Sequence, residues 1–337
     1  MRHDQKPSTA PPKSREPLIP LRLFGKTKEN VSALGLGGHH LGDIPSVQEA
    51  IRIVHAAIDG GITFFDNCWE YYNGRTENWL GRALAGGKRD KVFLMTKVCT
   101  HGRGKELART MLDESLRRLG TDRLDLWQVH AVSYDNDPDL AYAKGGVVEA
   151  LEEAKKAGKA RFVGFTGHKD PAIHLKMIRL GYPFDSVQMP LNPFDAGFAH
   201  SFEKQVLPEL LKRGIAPLGM KSMGGTAGAI KKGVLTGEEA LRYAMSLPVT
   251  VTISGMESMA VLKQNLKIAQ GFQPLAAGAM DAIRKKCAPF AADGRFEPYK
   301  VSLKYDNPET RMPHGFPVEP GNKEMKEMFK EAGVKPR

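Results

Sequence analysis

The sequence predicts an α/β fold: a (β/α)8 TIM barrel with an N-terminal β-hairpin and a long C-terminal tail. Three observations carry this. Short apolar runs alternate with amphipathic stretches up to about residue 270. The alternation makes eight strand–helix units, spaced by about 30 residues, as a barrel of this kind requires. A doubly wound sheet would also alternate, but its Gly-x-Gly-x-x-Gly loop is missing. "GLGG" after the first apolar segments runs straight into His39 and His40.

Residues 1–18 hold Pro, Ser, Lys and Arg with little to bury, and are expected to form a disordered N-terminal tail. "LRLFGKTKENVSALGLGG" reads as two apolar segments around a polar turn, a hairpin leading into a first strand. "SVQEAIRIVHAAIDGG" places Val47, Ile51, Val54 and Ile58 on one helical face and closes on glycines. Then "ITFFDN" is a buried strand, "TENWLGRALAGG" a helix, "KVFLMTKV" a strand and "ELARTMLDESLRRLG" a helix. The pattern continues through the strands "RLDLWQVH", "ARFVGFTG", "FDSVQMP", "IAPLGM" and "VTVTIS". Between and after these come helices such as "FEKQVLPELLKRG" and "MAVLKQNLKIAQ". Residues 19–270 therefore form the barrel, and residues 271–337 an extension packing on or near its mouth. Its one clear helix is "AAGAMDAIRKKC".

The bulk properties narrow the function. The formal charge is +11, yet basic and acidic residues are interspersed, and part of the excess sits in the two tails. That charge suits an anionic ligand such as a phosphorylated cofactor. With no RNA-module signature and no aromatic-interleaved basic run, a nucleic-acid partner is not expected. No run reaches the roughly 20 apolar residues of a membrane span, so no membrane partner is expected. Cys68, Cys99 and Cys287 match neither a disulfide framework nor a recognised metal spacing. The expectations are a cytoplasmic protein and no metal. His39 and His40 have no third ligand spaced nearby.

A barrel of this class works at the C-terminal ends of its strands. The second strand ends on Asp66, with Tyr71 five residues on, the third on Lys97 and the fourth on His130. A phenol titrates near ~10. An adjacent ammonium lowers that value, and a buried ammonium needs an anion beside it. Asp66 would thus hold Lys97 charged next to Tyr71, while His130 orients a substrate oxygen. Each residue alone has a plain alternative, as a helix cap, a surface lysine, a packed ring or a core histidine. Four of them on one rim favour a proton-transfer set.

At this point residues 20–270 resemble the aldo-keto reductases. The likeness runs through the opening hairpin, "GITFFDNCWEYYNG", "KVFLMTKV", "LDLWQVH", "ARFVGFTGH" and "ISGMESMAVLKQN". The family's Asp–Tyr–Lys–His tetrad falls on Asp66, Tyr71, Lys97 and His130, with the family's five-residue step from Asp to Tyr. Tyr72 is off that spacing by one. The resemblance implies reversible NAD(P)H-dependent reduction of an aldehyde or ketone, with Tyr71 as general acid and base.

It also implies a cofactor site. Thr166 and Gly167 stand where many relatives place a Ser-Asn pair on the nicotinamide carboxamide, with His168 beside them, and Gln188 is the second carboxamide partner. Met220 replaces a stacking aromatic. The loop Lys221, Ser222, Met223, Gly224, Gly225 matches the pyrophosphate stretch, and Gly255, Met256, Glu257 and Ser258 the stretch after the last strand. Gln264 and Asn265 match adenine contacts. Glu257 would repel a 2′-phosphate and favours NAD(H), whereas Lys263 one turn on offers NADP(H) a charge, so the preference between the two stays open. His39, Trp69 and Tyr72 are expected to line the pocket of a small carbonyl or alcohol substrate. Cys287 alone rules out the C-terminal iron–sulfur module of some relatives. Two rival readings are a slow-turnover cofactor sensor or interaction subunit of the same fold, and a Schiff-base lyase using Lys97. Oligomeric state is left open.

Overall fold

The computed structural model describes residues 18–99 and 103–302, and the expectations for residues 1–17 and for the tail beyond 302 lie outside them. A two-stranded antiparallel hairpin, β1 (Leu21–Leu23) and β2 (Asn30–Ser32), comes first. Eight parallel strands then close into a barrel in chain order. They are β3 (Leu34–Gly37), β4 (Phe64–Asp66), β5 (Phe93–Val98) and β6 (Leu124–Val129). The other four are β7 (Ala160–Thr166), β8 (Ser186–Pro190), β9 (Ala216–Met220) and β10 (Val251–Gly255). β10 pairs with β3 and completes the ring, so the sheet has no free edge. The fold is the predicted (β/α)8 barrel. "GLGG" is the one segment read differently. Its first three residues are the end of β3 itself, and a Cβ on Gly38 would sit 2.3 Å from the Asp66 carbonyl, so close strand approach explains that glycine.

β4, β5 and β6 are buried along their whole length because a barrel covers both faces of each strand. The barrel interior is filled from below by the hairpin. Phe24 and Val31 are fully buried with Phe64, Met95, Leu126 and Val251, and the Phe24 and Phe93 rings lie 4.9 Å apart. The functional rim is thus at the opposite end.

The helices follow the predicted order with two adjustments. Helix Val47–Asp59, capped by the Ser46 hydroxyl on the Glu49 amide, buries Ala50, Ile53, Val54 and Ala57. Ile51 and Ile58 flank that face half-buried. The stretch "FEKQVLPELLKRG" forms two helices, Phe202–Gln205 and Leu207–Arg213. Pro208 explains the break, having no N–H to continue the ladder. Helix Ala277–Cys287 follows the barrel, and residues 288–302 then cross the rim. There the Phe296 carbonyl accepts the Gly225 amide at 3.2 Å and the Ser302 carbonyl accepts Lys169 at 2.6 Å. Lys300 is fully buried between Asp195 (2.5 Å) and Glu297 (2.9 Å). Among the described residues no helix is long and apolar enough to cross a membrane.

Candidate active site

Asp66 is the last residue of β4 and Lys97 the last but one of β5, so the two side chains meet inside the rim. Both are buried, and they form an ion pair. The ammonium also donates to the Asn67 carbonyl at 2.7 Å and reaches the Tyr71 hydroxyl at 3.4 Å. A buried ammonium needs partners of this kind, an anion and neighbouring oxygens, to offset its lost hydration.

Tyr71 is aimed by a sharp turn. Tyr72 (φ 50°), Asn73 (φ 54°) and Gly74 (φ 82°) are all left-handed, and helix Arg75–Leu84 starts directly after them. Two non-glycine residues in that region cost roughly 1–2 kcal/mol each, and the surrounding contacts hold them there. The Tyr72 hydroxyl bonds Asp43, and its ring lies where a Cβ on Gly42 would sit. Arg75 stacks on that ring at 4.7 Å.

His130 follows β6 and meets the Tyr71 ring edge-on, with centroids 5.9 Å apart. The four residues of the expected tetrad are therefore together. One expectation about them is corrected. The Tyr71 phenol is pushed well above its ordinary value, first by burial and then by the negative fields of Asp66, Cys68 and Glu70. Asp66 compensates the Lys97 charge that was expected to lower it, so burial decides the direction.

His39 packs edge-on to Tyr71 (5.1 Å) and beside Tyr72 (5.3 Å), so it joins the cleft. His39 is partly exposed, and partial desolvation, then the His40 and Lys221 charges, lower its imidazole to about 4, neutral at physiological pH. The Trp69 indole N–H goes to Glu114 at 2.7 Å, and Arg118 stacks on its ring at 5.0 Å, both from helix Lys105–Leu119.

The expected cofactor residues fall along the other half of the rim. Thr166 of β7 is in register with Gln188 of β8, and Gly167 and His168 follow it. Gln188 is buried, its amide N–H₂ faces Met220 Sδ at 3.7 Å, and its Oε1 has no donor among the described residues. Asn265 donates to Ser254 at 3.2 Å and likewise keeps a buried Oδ1 without a partner. Two orphaned buried carbonyl oxygens, one on each side of β9, fit a ligand carrying amide or amine donors. His168 is buried against the Tyr299 ring at 5.7 Å, and burial plus the Lys221 charge keep it neutral. Glu257 and Gln264 are exposed, Met256 is core, and the Ser258 hydroxyl caps helix Met259–Ala269. Gly255 lies flat under the His40 ring.

The phosphate stretch differs from expectation. Lys221 sits at φ 58° with its ammonium 5.8 Å over the Tyr299 ring, and Ser222 is buried. Gly224 and Gly225 are covered by Phe296 and Pro298, and the Gly225 amide already bonds the Phe296 carbonyl. The Gly224 amide goes to the Lys221 carbonyl at 2.8 Å. Sequence reasoning placed the tail near the mouth without seeing that it bonds the Gly225 amide.

It also missed a second layer around His130. Glu70 Oε1 lies 2.7 Å and Cys68 Sγ 3.3 Å from His130 Nδ1, and Cys99 Sγ lies 2.7 Å from Glu70 Oε2. The only available signal was that Glu70 adjoins Tyr71. The Cys68, Glu70 and His130 donor atoms lie within 4.8 Å of one another, as do those of the exposed His39, His40 and Asp43, so either trio offers a metal three ligands.

Comparison with known proteins agrees with this geometry. The model of the Aldo/keto reductase family matches residues 33–239, more than half of the chain. The Aldo-keto reductase YhdN of Bacillus subtilis (strain 168) is 29% identical over 225 residues, 63% of this chain and 62% of that protein. The chain thus spans about three-fifths of that relative's length. The 6-dehydroglucose reductase of Novosphingobium aromaticivorans is 29% identical over 62% of this chain and 71% of its own length. Among solved structures, an aldo/keto reductase from Klebsiella pneumoniae in complex with NADP and acetate superposes with a TM-score of 0.65. It is 22% identical and covers 82% of this chain and 98% of its own, a likeness of fold.

Proposed function

The chain belongs to the aldo/keto reductase family, and on that premise we propose that it interconverts an aldehyde or ketone and the matching alcohol with NADP(H) or NAD(H). The observation that carries this is the buried Lys97 ammonium, held by Asp66 and Asn67 within 3.4 Å of the Tyr71 hydroxyl. When bound, NAD(P)H supplies the hydride that the carbonyl carbon accepts. Tyr71 gives its proton to the carbonyl oxygen, so a C–H and an O–H bond form as the C=O π bond breaks. Lys97 stabilises the phenolate left behind, Asp66 keeps Lys97 charged, and His130 holds the oxygen. The orphaned oxygens of Gln188 and Asn265 fit the carboxamide and adenine amines of such a cofactor, with Thr166, Gly167 and His168 alongside. The covered amides of Gly224 and Gly225 leave the pyrophosphate to Lys221 and Ser222 unless residues 294–302 move.

The Novosphingobium relative is named for a sugar substrate. Sugar-derived carbonyls are therefore the first class to test. The buried free cysteines support a reducing compartment, the cytoplasm. The deciding experiment pairs cofactor binding, followed by tryptophan fluorescence, with turnover on a carbonyl panel for wild type and Tyr71→Phe. We expect unchanged binding and a rate loss of roughly 10²–10⁴-fold. A Tyr71→Phe enzyme as fast as wild type would overturn the reading.

A further inference from the structure

Glu70 takes no part in the proton-transfer set, yet its carboxylate is turned inward with a side-chain exposure of 19%. Both of its oxygens are engaged, Oε1 by His130 Nδ1 and Oε2 by the Cys99 thiol, each at 2.7 Å. An N–H···O distance of 2.7 Å lies in the range of charge-assisted bonds. Cys68 is the rival partner of the same nitrogen at 3.3 Å. Burial and the nearby Glu70 charge keep it a thiol, a weak donor and a weak acceptor. The carboxylate therefore wins the contest for Nδ1. A metal bound by this trio would set its nitrogen and oxygen ligands about 3.3 Å apart, given bonds near 2.0–2.1 Å. The observed spacing is that of a hydrogen bond.

We infer that Glu70 is a positioning residue for His130: its carboxylate accepts the Nδ1 hydrogen, fixes the ring, and turns Nε2 toward the carbonyl oxygen that Tyr71 protonates. This rests on the reductase reading above. Cys99, donating to the second oxygen, keeps the carboxylate from swinging away. With Nδ1 held by Glu70, Nε2 is the ring nitrogen left to meet the substrate oxygen. Among the described residues, the groups facing the ring are Cys68, Glu70 and Tyr71 after β4 and His168 after β7, with Arg103 donating to the His130 carbonyl at 2.7 Å. Glu70 is the only carboxylate among them.

The test uses the full-length protein with NADPH and 4-nitrobenzaldehyde as the probe carbonyl, in wild type, Glu70→Gln, Glu70→Asp and Cys99→Ala. Glu70→Gln is expected to lower kcat about 10–100-fold, the usual cost of losing a partner that orients a working histidine. Cofactor binding should hold. Glu70→Asp should recover part of the rate, and Cys99→Ala should fall between. In the protein without cofactor, nitrogen-15 NMR of the histidine rings should show His130 protonated at Nδ1, and Glu70→Gln should remove that preference. An unchanged kcat in Glu70→Gln would overturn the inference. So would a loss that follows lowered thermal stability or weakened cofactor binding, or one that Glu70→Asp does not partly recover. If Tyr71→Phe stays active, the reductase reading fails instead, while the NMR result still tests the Glu70–His130 contact itself.

Discussion

Lys97 carries its ammonium at a side-chain exposure of 1%, and a charge that far from water persists only with partners in place. Asp66→Asn leaves it uncompensated, which costs about 3–5 kcal/mol for a buried pair. Urea unfolding should show that loss, and the double variant Asp66→Asn/Lys97→Met should recover stability without recovering activity. If the single variant unfolds like wild type, the pair is not the buried anchor described. Tyr71 makes a pH prediction at the same scale. Its phenol is raised, so it keeps its proton throughout the neutral range and serves as an acid there. Carbonyl reduction should therefore not decline through pH 7–9 on account of Tyr71, whereas alcohol oxidation, which needs the phenolate, should climb as pH rises. Equal pH profiles in the two directions would contradict this. Glu257 is exposed at the end of β10, as a ribose-reading residue must be. Glu257→Arg is expected to shift binding toward NADPH relative to NADH, measured by fluorescence titration of each. No shift would mean that another group, Lys263 first, meets the ribose.

At the scale of the element, the hairpin and the tail close the two ends of the barrel. Phe24 is fully buried under the barrel floor against Phe93 and Phe162. Phe24→Ala should cost about 3–5 kcal/mol by leaving a cavity, with cofactor affinity unchanged because the rim is remote. Calorimetry and titration of the same sample check both halves. The strands were legible because a fully covered strand is a short continuous apolar run bounded by turn residues. Their ends were legible for the same reason, and that put Asp66, Lys97 and His130 on one rim. Helix faces were less so: Val47, Ile51, Val54 and Ile58 fit a helical stripe, but the buried face is Ala50, Ile53, Val54 and Ala57. Small residues carry little hydrophobic signal and are where packing is tightest. The tail's hold on Gly224 and Gly225 was illegible, because a carbonyl meeting an amide 71 residues away in sequence leaves no pattern in either segment.

For the molecule as a whole, acid stability should depend on a residue outside the active site. His174 is buried between Phe165 and Phe202, with ring centroids 5.3 and 4.9 Å away. Burial holds it at about 4, and backbone groups nearby offset only part of that effect. The unfolded chain titrates near ~6.5, so folding favours the neutral ring. Its contribution is complete above that pH and is lost as pH falls from about 6.5 toward 4, by roughly 3 kcal/mol. Denaturation midpoints recorded across that window should drop in wild type and flatten in His174→Leu. A parallel drop in both would assign the acid limit to other groups.

The amino-acid sequence alone determined the eight-unit barrel, the rim on which chemistry sits, and the four residue types that meet there. Periodicity and strand-end position are local properties, and closing the sheet turns them into one site. Only the tertiary structure decided which atoms touch. It joined Glu70 and Cys99 to His130, bonded the Trp69 indole to Glu114, raised rather than lowered the Tyr71 phenol, and laid Phe296 on Gly225. Each of these depends on distances between segments far apart in the chain, and on burial. Strand register and loop packing fix such quantities, and neither can be read from one segment at a time.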